Sequence, residues 1–169
     1  MTYRAPDGTR IGHVHLRVSD LDRSIAFYRD VLGLELQAKL GRNAAFLGAG
    51  GYHHHIGLNT WDSFGGPPAQ KNHAGLYHVA FLFQTRPELA RALKRVLEAG
   101  VTLTGAADHG VSEAVYFDDP DGNGIEIYCD RDRADWPTDA VGNPTFVNAH
   151  LDLETLLREA DDQSSAVDA

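Results

Sequence analysis

The stretch Ile11-Gly12-His13-Val14-His15-Leu16-Arg17-Val18 alternates polar and apolar residues without a break from His13 onward. Strict period-two alternation marks a half-buried strand, with His13, His15 and Arg17 on one face and Val14, Leu16 and Val18 on the other. Asp20 then offers a helix N-cap, and Leu21, Ile25, Tyr28 and Leu32 form one apolar stripe at helical spacing. Gly33 stands where a left-handed helix end is wanted. Strand-like pieces follow at 34–40, 44–48 and 53–60, separated by glycines.

The same plan recurs from Leu76. His78, Ala80 and Leu82 alternate with Val79, Phe81 and Phe83. Thr85 and Glu88 make a capping box with Pro87 in the first turn. Leu89, Leu93, Val96 and Leu97 supply the buried stripe, and Gly100 ends the helix. Strands are expected at 101–104, 114–118 and 124–130, the last two joined by the turn signal Asp119-Pro120-Asp121-Gly122-Asn123-Gly124. His13 and His78 are 65 residues apart and the helix-ending glycines 67, an offset constant enough to mark an internal duplication.

The expected fold is therefore α+β: two β-α-β-β-β modules, 9–61 and 75–130, whose sheets form one curved mixed half-barrel around a cleft, with the helices outside. Asp62 to Gly75 is a Gly/Pro-rich linker, and 131–169 a tail within the same 169-residue domain. In that tail His150 to Glu159 has the spacing of a short helix, and Asp161 to Ala169 the composition of a disordered end.

Composition narrows the partners. With 15 Lys plus Arg against 24 Asp plus Glu, the formal net charge is −9, which disfavours nucleic acid and anionic lipid surfaces. No apolar run approaches the roughly 20 residues of a membrane helix. The single cysteine, Cys129, allows no intrachain disulfide, and the polar N-terminus shows no secretory signal; both fit a cytoplasmic protein.

Nine histidines are the unusual count. The helices must cover the apolar strand faces, so His13 and His78 are expected on the concave side. Glu126, alternating with Ile125 and Ile127, joins them there. Two imidazoles and one carboxylate on one side of a metal leave other positions open, the arrangement non-haem Fe(II) uses, with Mn²⁺, Zn²⁺ or Ni²⁺ as competitors.

The chain resembles the vicinal oxygen chelate superfamily, which includes glyoxalase I, bleomycin resistance proteins and type I extradiol dioxygenases. Gly12 to Val18 with Asp20-Leu21 and Phe27-Tyr28, then Leu76 to Phe81, then Asp119 to Glu126 carry the resemblance, over about Ile11 to Tyr128. It implies a metal held by His13, His78 and Glu126. Glyoxalase I adds a fourth carboxylate ligand in the last strand of the first unit, a place that falls here at Gly57, which has no side chain to offer.

Three further residues resemble extradiol dioxygenases of the catechol 2,3-dioxygenase kind: Tyr116, ten residues before Glu126, His109 in His109-Gly110, and His54, three before Gly57. The resemblance gives His54 the proton transfers, Tyr116 a hydrogen bond to a metal-bound diol oxygen, and His109 the orientation of substrate or oxygen. Strict alternation puts His54 opposite Gly57; a β-bulge would bring it round, and otherwise His55 is the candidate. The implied reaction is ring cleavage of a small aromatic diol by dioxygen on Fe(II). A glyoxalase-like lyase or isomerase and a non-catalytic binding or resistance protein are the alternatives. Asn59, Trp61, Leu82 and Tyr128 are expected on the concave face. Such dioxygenases usually carry four modules; with two, a homodimer would supply missing walls.

Overall fold

The computed structural model describes residues 2–68 and 70–162. The chain divides into two compact units between Pro67 and Pro68, inside the expected linker.

The first unit runs β1 (Val14–Arg17), α1 (Leu21–Ala26), β2 (Glu35–Leu40), β3 (Ala44–Gly48) and β4 (Ile56–Asn59). Asp20 caps α1 by accepting from the Arg23 N–H at 3.0 Å. The helix then widens into a π turn over Phe27–Val31 and ends at Gly33, φ +76°. Leu21, Ile25, Tyr28 and Leu32 are all buried, as their spacing requires, against Leu47, Ile56 and Leu58 of the sheet. The sheet order is β1-β4-β3-β2, with β1 parallel to β4 and the rest antiparallel.

The second unit repeats this order as β5-β8-β7-β6, again with the outer pair parallel. Its elements are β5 (Val79–Phe83), α2 (Arg86–Glu98), β6 (Leu103–Asp108), β7 (Ser112–Asp118) and β8 (Gly124–Asp130), followed by α3 (Leu153–Asp162). The Thr85–Glu88 capping box closes α2 in both directions. Leu89, Leu93 and Val96 pack over Val115, Phe117, Ile125 and Ile127, all nearly solvent-free. Alternation then turns Tyr116, Glu126 and Tyr128 to the other face.

The fold is thus α+β in two β-α-β-β-β modules. Several boundaries differ from the sequence expectation. β5 starts at Val79 rather than Leu76, and β4 at Ile56 rather than His53. β6 lies at Leu103–Asp108 instead of 101–104, and its pairing with β7 slips by one residue between Leu103 and Gly105. The tail helix begins at Leu153, where Asp152 accepts from the Glu154 and Thr155 N–H groups at 3.1 and 3.2 Å. It continues through Asp161 and Asp162, which were expected to be disordered; residues 163–169 of that expectation lie outside the described residues. Among the described residues, no helix is long and apolar enough to cross a membrane.

Candidate metal centre and proton relay

In the second unit, register brings the site together. Glu126 on β8 lies between Ala80 on β5 and Tyr116 on β7. Ala80 leaves room on one side, and Tyr116 fills the other. The Tyr116 hydroxyl stands 3.3 Å from Glu126 Oε1, and His78 Nε2 lies 2.8 Å from Glu126 Oε2. His109, at the tip of the β6–β7 hairpin, places Nε2 2.8 Å from the Tyr116 hydroxyl and Nδ1 3.0 Å from the Val147 carbonyl. Four side chains therefore form one continuous row: His78, Glu126, Tyr116, His109.

Local chemistry holds the row in place. Asp119 Oδ1 accepts from the Asp121 and Asn123 N–H groups at 2.9 and 2.8 Å, and its Oδ2 from the Asn123 amide at 2.9 Å. That turn delivers β8 with Gly124 against the strand carrying His78. A Cβ on Gly124 would overlap the Tyr77 carbonyl oxygen and come 3.1 Å from His78 Cβ, so only glycine permits this approach. Burial, reinforced by the Glu126 charge, pushes the Tyr116 phenol up from 10.0 to about 12. It therefore stays neutral at any physiological pH.

One feature of this row suits a cation: ligands to one divalent ion at about 2.1 Å each sit roughly 3 Å apart when adjacent, close to the 2.8 Å between His78 Nε2 and Glu126 Oε2. The other ring nitrogen, His78 Nδ1, is buried with no hydrogen-bond partner among the described residues. Among the described residues, no group of three or more His, Cys, Asp or Glu is gathered closely enough to hold a metal; His78 and Glu126 stand as a pair. A cleft of about 740 Å³ within this unit reaches His78 and Tyr116 and is bordered by Lys71, His73, Tyr77 and Asn123.

In the first unit, His13 and His54 lie ring to ring, centroids 4.5 Å apart, with Phe46 5.0 Å from His54. Phe46 pairs with Gly57 across the sheet, so His54 shares the face of Gly57. Alternation fails just before β4. His55 keeps its backbone pairing, donating to Leu47 at 2.8 Å and accepting from Val14 at 3.0 Å, while 53–55 lie outside the strand. The His55 ring turns to Tyr52, centroids 4.8 Å apart, and accepts the Ala49 N–H at 3.3 Å. His54, not His55, is therefore beside His13. Burial and then the neighbouring His13 hold its pKa below the usual imidazole range.

Gly57 is occupied from outside. Its partner across β1 is His15, whose imidazole sits where a Gly57 side chain would go, with Cγ 2.9 Å from an ideal Cβ. By register, Gly57 beside His15 corresponds to Glu126 beside Ala80. Of the remaining concave candidates, Asn59 caps the next turn by accepting from Trp61 N–H at 3.2 Å. Trp61, 56% exposed, lies along His15 at 5.5 Å, and Leu82 is 45% exposed. Trp136 is tied to its own segment, donating to the Arg131 carbonyl at 2.8 Å. Sequence reasoning missed the Val147 carbonyl, because a backbone acceptor leaves no mark in residue identity.

The profile of the Glyoxalase/Bleomycin resistance protein/Dioxygenase superfamily matches residues 10–127. Catechol-2,3-dioxygenase of Bacillus subtilis (strain 168) is 41% identical over 157 residues, which cover 93% of this chain and 54% of that protein. Biphenyl-2,3-diol 1,2-dioxygenase 3 of Rhodococcus globerulus is 31% identical, over 72% of this chain and 64% of its own length. The chain thus spans little more than half the length of these relatives. Among solved structures, a glyoxalase/dioxygenase from Nostoc punctiforme superposes with a TM-score of 0.62 at 25% identity, covering 78% of this chain and 99% of that one.

Proposed function

Because the chain belongs to the glyoxalase/bleomycin resistance protein/dioxygenase superfamily, we propose that it is a metal-dependent extradiol dioxygenase that opens the ring of a small catechol-type diol with dioxygen. The observation that carries this reading is the row His78–Glu126–Tyr116–His109, which sets Tyr116 and His109 directly beside the pair that would hold a metal. The 41% identity to a catechol-2,3-dioxygenase over 93% of the chain supports it. We assign the two units and the tail, 1–169, to one catalytic domain, acting in the cytoplasm and completed as a homodimer.

His78 and Glu126 would hold the metal with His13, the counterpart of His78 in the duplicated strand plan. The donor set favours Fe(II), with Mn²⁺, Zn²⁺ or Ni²⁺ as substitutes. Bound there, the ion supplies a Lewis acid and a template on which the two diol oxygens and dioxygen meet. Gly57 offers no fourth ligand, which leaves positions open for that chemistry and disfavours the glyoxalase-like alternative.

The chain's own groups do the rest. Tyr116 keeps its proton and presents a neutral hydroxyl beside Glu126, suited to bonding a diol oxygen. His109 orients the substrate or dioxygen, with its Nε2 turned to the Tyr116 hydroxyl. His54, held neutral next to His13, is the base for the diol proton and later the acid; its lone pair must come within about 2.6–3.2 Å of that proton, directly or through a water.

The test is metal analysis of protein purified without oxygen, followed by catechol under air. Stoichiometric iron with a yellow ring-opened semialdehyde is expected. Bound metal with no ring opening of catechol or substituted catechols would overturn the dioxygenase in favour of a lyase or isomerase. No bound metal would overturn both. His78→Ala should lose most of the metal while keeping the fold, and an unchanged metal content would remove it from the ligand set.

A further inference from the structure

The C-terminal segment is wired into the hairpin that carries His109. Asp108 and Ala149 exchange both backbone hydrogen bonds, at 3.0 and 2.9 Å, and the Val147 N–H donates to the His109 carbonyl at 3.1 Å. The Val147 carbonyl faces His109 Nδ1 at 3.0 Å. A carbonyl oxygen can only accept, so Nδ1 carries a hydrogen. A neutral imidazole has one N–H, so Nε2 is then a bare lone pair 2.8 Å from the Tyr116 hydroxyl, whose single hydrogen turns to Nε2 over this shorter contact rather than to Glu126 Oε1 at 3.3 Å. An unconstrained neutral imidazole in water favours the opposite tautomer, with its hydrogen on Nε2.

The docking of this segment is specific. Gly110, φ +77°, lies so close to it that a Cβ would stand 2.8 Å from Pro137 Cγ and 3.1 Å from Val147 Cγ2. Further along, Leu151, Leu156 and Ala160 are buried. Arg86 pairs with Glu159, and Lys94 with Asp161 at 2.6 Å, fastening α3 to α2.

We propose that segment 131–162 is a working part of the site: through the Val147 carbonyl it selects the Nδ1–H tautomer of His109, so that Nε2 is the end that accepts the hydrogen bond of the Tyr116 hydroxyl. Val147 is a positioning residue, acting through its backbone. This builds on the dioxygenase reading for what the relay serves, while the tautomer itself is independent of the reaction. A backbone carbonyl fixes the tautomer of many metal-ligating histidines, where loss of such a partner typically costs about 10–100-fold, and the same order is expected for His109, which acts beside the ligands.

The tautomer is read directly by long-range ¹H–¹⁵N NMR of the imidazoles in the full chain, with and without diamagnetic Zn²⁺, at a pH where histidine is neutral. His109 is assigned by its disappearance in His109→Gln. The wild type should show hydrogen on Nδ1. Val147→Pro removes the N–H that pairs with His109 and redirects the carbonyl; it should release His109 towards the Nε2–H form and lower kcat about 10–100-fold with KM little changed. Val147→Ala keeps both backbone contacts and should keep the tautomer. Hydrogen on Nε2 in the wild type, or an unchanged tautomer in folded Val147→Pro, overturns the proposal, and the wild-type spectrum decides alone if Val147→Pro does not fold. A wild type with the Nδ1–H signature but no ring cleavage would sink the dioxygenase reading and leave the tautomer assignment standing.

Discussion

Replacing Glu113 with glutamine tests whether the helix-side face of the second sheet is held by charge. Glu113 is 5% exposed on β7, opposite Cys129 on β8. Its Oε2 accepts from Arg86 Nε at 2.6 Å and its Oε1 from Arg131 Nη2 at 2.7 Å. Arg86 also pairs with Glu159, and Arg131 with Asp108 at 2.7 Å. Glutamine keeps the volume but loses the charge and turns one acceptor into an amide N–H facing a guanidinium. Two charge-assisted bonds at about 1.5–3 kcal/mol each set the gross loss. The second acid on each arginine and the one remaining acceptor reduce it, leaving a net cost of about 3 kcal/mol. At about 2–4 °C per kcal/mol for a chain of this size, Tm should fall by about 6–12 °C. Urea unfolding followed by circular dichroism measures it. The loss should persist in about 1 M salt, because buried pairs are weakly screened. Lys94→Met, which breaks an exposed pair with Asp161, should leave the unfolding midpoint nearly unchanged. A Glu113→Gln cost below about 1 kcal/mol would refute the reasoning.

Other consequences are equally open to measurement. Gly124→Ala drives a methyl into the Tyr77 carbonyl and should destabilise the second unit by more than about 3 kcal/mol in the same urea assay; wild-type stability would show that the strands can part without cost. In metal-free protein the Tyr116 phenol, raised from 10.0 to about 12, contributes stability that is whole below pH 10 and is lost as pH climbs to about 12. Phenolate absorbance of wild type minus Tyr116→Phe should show that late midpoint, and an ordinary one near 10 would contradict the burial argument. Burial pushes the Cys129 thiol up from 9.0 to about 11, so a thiol reagent at pH 8 should label it only after unfolding; labelling of the native protein at the rate of the unfolded chain would count against its placement.

The second module was the more legible in sequence because its signals are local and unopposed. The capping box at Thr85–Glu88 and the six-residue turn before β8 act through neighbours in the chain, and β8 falls at Gly124–Asp130 as the turn dictates. The first module hides more. A π turn leaves the apolar stripe of α1 almost unchanged, so Leu21, Ile25, Tyr28 and Leu32 give no warning of it. The orientation of His54 depends on where strand pairing stops, and three consecutive histidines carry no periodicity to show that. Groups that act through tertiary placement were invisible: Glu113 looks like an ordinary strand-edge acid in sequence, and the Val147 carbonyl belongs to a segment without a pattern. His78, Glu126, Tyr116 and His109 were nameable because the duplication and the family resemblance both fall on them; their contiguous order in space was not.

The imidazole lodged over Gly57 constrains how the two halves of this molecule can diverge. A carboxylate introduced at that strand position must first evict His15, and trimming His15 alone opens a hole with nothing to fill it. Neither single change is useful without the other. A route from this arrangement to one with an acid at position 57 therefore crosses a valley, and a paired replacement at 15 and 57 is the shortest way over it.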